Sequence, residues 1–216
     1  MANQETAYGL RPIGMVGSGP NSTGITEYEI ASGNTSVIYN GEICVPLASG
    51  YIDQAGDTAG GTTQALGVLT GVMYQDSTQK KPVWLNYWPG SAGVSVDTNY
   101  PVRAYVADNP NQLFQLSSDA SLTNRATAQA AVFANTDLGT SARSGSTDTG
   151  KSSSQASVAN IAATATLPLR IVGIVDDDAN ADFTAAGIPL KVRLNAHFNA
   201  GTRRFDSQTT ADSTGL

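Results

Sequence analysis

The sequence predicts a mainly β protein, folded as an antiparallel sandwich or a small barrel. Three observations predict it. Short apolar segments recur at close spacing, each punctuated by Gly, Pro, Asn or Asp. Some alternate apolar and polar residues with period two, as in Pro101-Val102-Arg103-Ala104-Tyr105-Val106-Ala107. At most one short helix is expected, because only residues 122–134 have an Ala-rich helical composition. The length of 216 residues fits one large β domain or two small ones.

Residues 1–23 read as an extended N-terminal arm. Tyr8-Gly9-Leu10-Arg11-Pro12-Ile13-Gly14 carries apolar anchors but is broken by Gly and Pro, unlike a core strand. Residues 17–21 read as a linker. An ordered arm docks on its own domain or on a neighbour. Deleting residues 2–13 is therefore expected to abolish partner binding and leave the β domain folded.

The β-rich domain spans residues 24–200. Ile25, Tyr28 and Ile30 alternate loosely. Val37-Ile38-Tyr39 precedes Asn40-Gly41, a hairpin turn signal. Strands at 42–47 and 50–53 lead into a turn-rich run, residues 55–62. The next strand, 65–75, contains Gly67 and Gly71, which predict a bulge or a close backbone approach. Val83-Trp84-Leu85-Asn86-Tyr87-Trp88 is aromatic and β-prone, ended by Pro89-Gly90. Short strands at 94–96, 101–107 and 113–116 follow.

In the helical segment, Thr123 is the expected cap and Gly139 lies just beyond the end. Residues 139–157 are almost all Gly, Ser, Thr and Asp. A loop this long is disordered or functional, and a partner surface is the economical reason for order. Strands at 167–175 and 188–195 close the domain, joined by residues 176–183. Residues 201–216 form a polar C-terminal tail.

Charged residues make up 14% of the chain, against about a quarter in ordinary globular proteins. Such a surface, rich in small polar residues, suits packing against neighbours. A net charge of −6 argues against a nucleic-acid partner, which needs clustered Lys and Arg. The single cysteine, Cys44, excludes an internal disulfide and reads as a buried thiol made in a reducing cytoplasm. The first residues show no charged n-region or apolar h-region, so no signal peptide is expected, and no apolar run is long enough to span a membrane.

No catalytic constellation is legible, so no enzyme is expected. His197 is the only histidine, and no Gly-x-Ser-x-Gly elbow accompanies it. One His and one Cys make no zinc site. Asp176-Asp177-Asp178, with Asn180 and Asp182, offers oxygen ligands but departs from the calcium-loop spacing, so a solvated loop is expected. No metal and no cofactor are predicted. In a continuous strand Trp84 and Trp88 share a face, which suits core packing or an interface anchor. With Tyr87 they also offer a platform for a sugar.

The chain resembles virion structural proteins of marine tailed bacteriophages, cyanophage-like ones included. The resemblance rests on Tyr8-Gly9-Leu10-Arg11-Pro12, on Ala65-Leu66-Gly67-Val68-Leu69-Thr70-Gly71-Val72, on Thr164 through Gly173 and on Lys191-Val192-Arg193-Leu194-Asn195-Ala196-His197. The Gly-punctuated strand behind a turn-rich loop is also similar to the lambda-type decoration fold. The resemblance implies a head decoration or cement protein on the capsid exterior, made in the host cytoplasm. Its implied partner is the major capsid protein, met by homo-oligomers or symmetric clusters, with no nucleic acid and no membrane. The expected contacts are Tyr8, Leu10, Arg11, Pro12, Ile13, Trp84 and Trp88, with the 139–157 loop. The alternative is a receptor- or glycan-binding fibre or knob. A polysaccharide hydrolase ranks third, for want of carboxylate and nucleophile motifs.

Overall fold

Two antiparallel sheets organise the computed structural model, which describes residues 3, 7–17, 24–55, 64–139 and 143–200. The first sheet has five strands in the order β1 (Arg11–Met15), β8 (Gln112–Ser117), β11 (Pro189–Leu194), β10 (Leu169–Ile174) and β9 (Asn135–Thr136). The second runs β2 (Ile25–Ile30), β7 (Val102–Ala107), β5 (Gly67–Gln75), β3 (Ile43–Pro46) and β4 (Ile52–Gln54). Its sixth strand, β6 (Pro82–Leu85), pairs with Val72 to Gln75 of β5. One short helix, α1 (Arg125–Ala130), stands beside β10. The protein is mainly β, as the sequence predicts, and its paired sheets make a sandwich.

Side-chain alternation decides which face is buried. In β7, Val102, Ala104 and Val106 point into the protein while Arg103 is exposed and Tyr105 half-buried. Two apolar clusters result. The first lies between the sheets, where Phe114, Leu116, Ile171 and Val192 meet Ile43, Val45 and Val68. The second gathers Ile30, Cys44, Val72, Val102, Val106 and Trp88 inside the second sheet. That sheet curls: β2 and β4, at opposite ends of its strand order, touch each other.

Gly67 and Gly71 meet both expectations. The β5–β7 register shifts between Leu69 and Gly71, which is a bulge. A Cβ at Gly71 would overlap the Trp84 ring, and one at Gly67 would overlap the Ala107 carbonyl oxygen.

Long-range pairing overrides several local signals. Asn40-Gly41 does not join a hairpin. Ile38 bridges Trp88, Asn40 bridges Lys151, and Gly41 turns the chain at φ 90°. The helix is half the expected length. Asn124, not Thr123, caps it, accepting the Thr127 N–H at 2.9 Å. It stops because the Phe133 N–H donates to the Ile171 carbonyl and Asn135–Thr136 must pair with β10. Residues 94–96 contribute a single bridge, from Val96 to Asp76. The 201–216 tail lies outside the described residues.

Candidate functional site

The N-terminal segment is part of the fold. Tyr8 and Leu10 are 5% and 2% exposed, and Leu10 belongs to the inter-sheet core. β1 is the edge strand of the first sheet, with Arg11 opposite Gln115. The chain reaches that edge by crossing Gly41, whose carbonyl accepts the Leu10 N–H at 2.9 Å. Gly9 sits there at φ 71°, and a Cβ on it would lie 2.7 Å from the Ser152 side chain. Only glycine fits that backbone and that gap. The Arg11 guanidinium covers the Tyr8 ring at 3.8 Å. Further out, Asn3 donates to the carbonyls of Asp182 and Ala186 and accepts the Asp182 N–H. The expectation of a separable arm is corrected accordingly. Of its predicted contacts, Tyr8 and Leu10 are inaccessible, Arg11 is half-buried, and Pro12 and Ile13 face solvent. Pro is tolerated because an edge strand leaves one row of N–H groups unpaired.

The described part of the 139–157 loop is held by contacts within its own chain. Its centre is Glu42, a carboxylate only 1% exposed. Ser152 and Ser154 both donate their hydroxyls to Glu42 Oε1. Burial pushes the Glu42 carboxyl up, and these two hydrogen bonds pull it back. Backbone bonds exchanged between Asn40 and residues 150 and 152 fix the same stretch, and the Asn86 amide holds Thr149. An acidic residue heading an apolar strand is a weak signal, and Glu42 is not legible as a loop anchor from sequence.

The aromatic trio is split. β6 ends at Leu85, so the period-two register that would align Trp84 with Trp88 is lost. Trp88 is 0% exposed, packs edge-on against Tyr74 and donates its indole N–H to the Asn34 carbonyl at 3.2 Å. Tyr87 stacks on Tyr39. Trp84 alone is open, at 55% exposure, lying over Gly71 with its ring centroid 4.9 Å from that of Tyr105. Trp88 cannot serve as a partner contact.

His197 is buried, with Nδ1 accepting the Asn199 N–H at 3.0 Å. That bond places the neutral ring's proton on Nε2, which meets no acceptor among the described residues. Burial lowers its pKa to about 4, opposed by the Asp108 charge and assisted by Arg193. The acidic loop is a structural turn. Asp177 caps a short 3-10 turn and accepts from the Asn180 amide, which holds its carboxyl below the usual range. Arg125 pairs with Asp176 at 2.8 Å, both exposed. Among the described residues no three His, Cys, Asp or Glu side chains are grouped to hold a metal ion. The Cys44 thiol is buried, which pushes its pKa up and suppresses its reactivity.

Open apolar side chains stand on several faces, with Tyr51 and Tyr100 lining one depression together. Ile13 and Val16 lie on and just past the β1 edge, Trp84 on the second sheet, and Phe198 after His197. Phe133 is the most exposed, at 79%, and its backbone is left-handed at φ 73°. Nothing in the sequence signals it beyond the end of the helix. Shallow depressions of about 80, 180 and 290 Å³ mark the surface. No helix among the described residues is long and apolar enough to cross a membrane. Comparison with known proteins matches no protein family, no curated protein and no solved structure.

Proposed function

We propose that the chain is a non-enzymatic structural protein of a phage virion, which decorates the outside of the capsid and stabilises the head by contacting the major capsid protein. One observation carries this reading beyond the sequence resemblance. Ile13, Val16, Phe133 and Phe198 stand open at separate points around the closed cores. A protein wedged among neighbours meets them on several sides, and many weak contacts repeated over a lattice sum to firm attachment. Binding the assembled shell but not its loose subunits favours the shell by mass action. The net charge of −6 suits an outer position better than one facing DNA. The accessible contact candidates are Pro12, Ile13, Trp84 and Phe133.

Phe133 separates docking from folding. A bulky residue at positive φ costs about 1 kcal/mol, and an exposed ring recovers none of it by burial. Phe133→Asn is expected to raise unfolding stability by about 1 kcal/mol while lowering occupancy on purified shells. Virions lacking the protein are expected to assemble and to release their genome sooner on heating. Equal thermal lifetimes for decorated and bare heads would overturn the assignment.

A further inference from the structure

We infer that a depression where the second sheet curls on itself docks an arginine side chain of a partner protein. The inference goes beyond the capsid reading and does not depend on it.

The curl of the sheet makes the depression. β2 and β4, at opposite ends of the strand order, touch each other. Glu29 of β2 and Tyr51, the residue before β4, therefore come to one place. The turn that leads into β7 adds Thr98, Asn99 and Tyr100, and Ser32 completes the polar lining. The space is about 290 Å³. That is just under the range of drug-sized sites, about 300–1,000 Å³, and suits one side-chain head group.

Both tyrosines stand on fixed backbone. The Tyr51 carbonyl accepts the Leu47 N–H at 2.8 Å, closing the turn between β3 and β4. The Tyr100 N–H donates to the Asp97 carbonyl at 3.1 Å, and the Asp97 carboxylate accepts from the Asn99 backbone and side chain. The two tyrosines are 37% and 55% exposed. A rim already ordered in this way loses little entropy when a ligand covers it.

Charge selects the occupant. Ile30 points into the core, so the alternation of β2 turns Glu29 outward. Glu29 lies opposite Arg103 in register, but the Arg103 guanidinium pairs with Glu27 at 3.4 Å. Lys80 is likewise taken, by Asp97 at 3.1 Å. The Glu29 carboxylate has no hydrogen-bond or ion-pair partner among the described residues. Among those residues no Lys or Arg lines the depression. An unpaired carboxylate beside two tyrosine side chains favours a cation. A planar guanidinium stacks on a ring and offers a carboxylate a fork of N–H groups, which an ammonium does not. A polyamine would need several carboxylates in line, and here Glu29 stands alone in the lining. The neighbouring depression of about 180 Å³ is lined by Arg103 and repels a cation.

The test is a titration of the full chain, followed by amide chemical shifts. The probe is the capped peptide acetyl-Gly-Arg-Gly-amide. Its lysine and citrulline versions and spermidine are the comparisons; citrulline keeps the shape of arginine without the charge. The arginine peptide is expected to shift the Glu29, Tyr51 and Tyr100 amides saturably, with a Kd of about 1–30 mM. The lysine peptide should bind about threefold more weakly, and the citrulline peptide should not saturate. Glu29→Gln and Tyr100→Leu should each weaken the arginine peptide about fivefold. Trp84→Leu and Phe133→Asn, outside the depression, should leave it unchanged. No saturable shift up to about 100 mM would overturn the inference. So would equal binding of the citrulline peptide, indifference to Glu29→Gln, or tighter binding of spermidine. Binding that tightens when Arg203→Ala and Arg204→Ala are combined would also overturn it, by assigning the depression to the chain's own arginines.

Discussion

Deleting residues 2–13 is expected to abolish cooperative folding, not merely partner binding. The deletion removes Tyr8 and Leu10 from the interior and most of β1 from the first sheet. Truncating Leu10 alone to Ala should cost about 2–5 kcal/mol, as for other fully buried leucines. Whole domains are stable by only about 5–15 kcal/mol. Losing two core side chains, the β1–β8 hydrogen bonds and the crossing at Gly41 exhausts a margin of that size. The cut also bares β8, whose Phe114 and Leu116 lie in the main core, as a new sheet edge. Urea unfolding followed by circular dichroism reads the result. A sigmoidal transition with an unchanged midpoint in the truncated protein would restore the separable arm.

Acidification is expected to cost up to about 3 kcal/mol through His197 alone. Its ordinary pKa of 6.5 falls to about 4 in the folded protein. The unfolded chain therefore takes up the proton first as pH falls. The contribution is fully present above the unfolded value and is lost progressively down to about pH 4. Each unit of separation is worth about 1.4 kcal/mol, which sets the total. Glu42 acts with the opposite sign. Its folded pKa is raised, so protonation relieves a buried charge and stability is gained as pH falls through that value. Asp97, Asp177 and Asp182, with depressed values, lose their contribution only below the ordinary carboxylate range. His197→Gln should flatten the loss between pH 6.5 and 4, and Glu42→Gln should steepen it. Parallel urea midpoints for wild type and His197→Gln across that range would refute the account.

Legibility followed the range of the interactions. The alternation of β7 is local, and its buried and open faces are readable from residues 101–107 alone. Gly67 and Gly71 were readable because a side chain missing from an apolar strand implies something pressed against it, here Ala107 and Trp84. Trp88 was misplaced because the break after Leu85 depends on Ile38, fifty residues away. Pro12 and the flanking glycines disguised β1, since an edge strand tolerates residues that a central one does not. The loop at 139–157 reads as a partner surface because the residues that hold it, Asn40, Glu42 and Asn86, lie far upstream in sequence.

The tie between Asn3 and Asp182 spans 179 positions. It sets an order of events during synthesis. Asn3, Tyr8 and Leu10 leave the ribosome before β8, Ser152 and Asp182, against which this segment settles. At about 5–20 residues per second, the N-terminal segment waits on the order of ten seconds or more for its last partner. Loop closure over such distances is slow and late, so Asn3 is locked long after it is made. Until then the apolar side chains of Tyr8 and Leu10 are open to proteases and chaperones. The surface around Asn3 is complete only once Asp182 has been made.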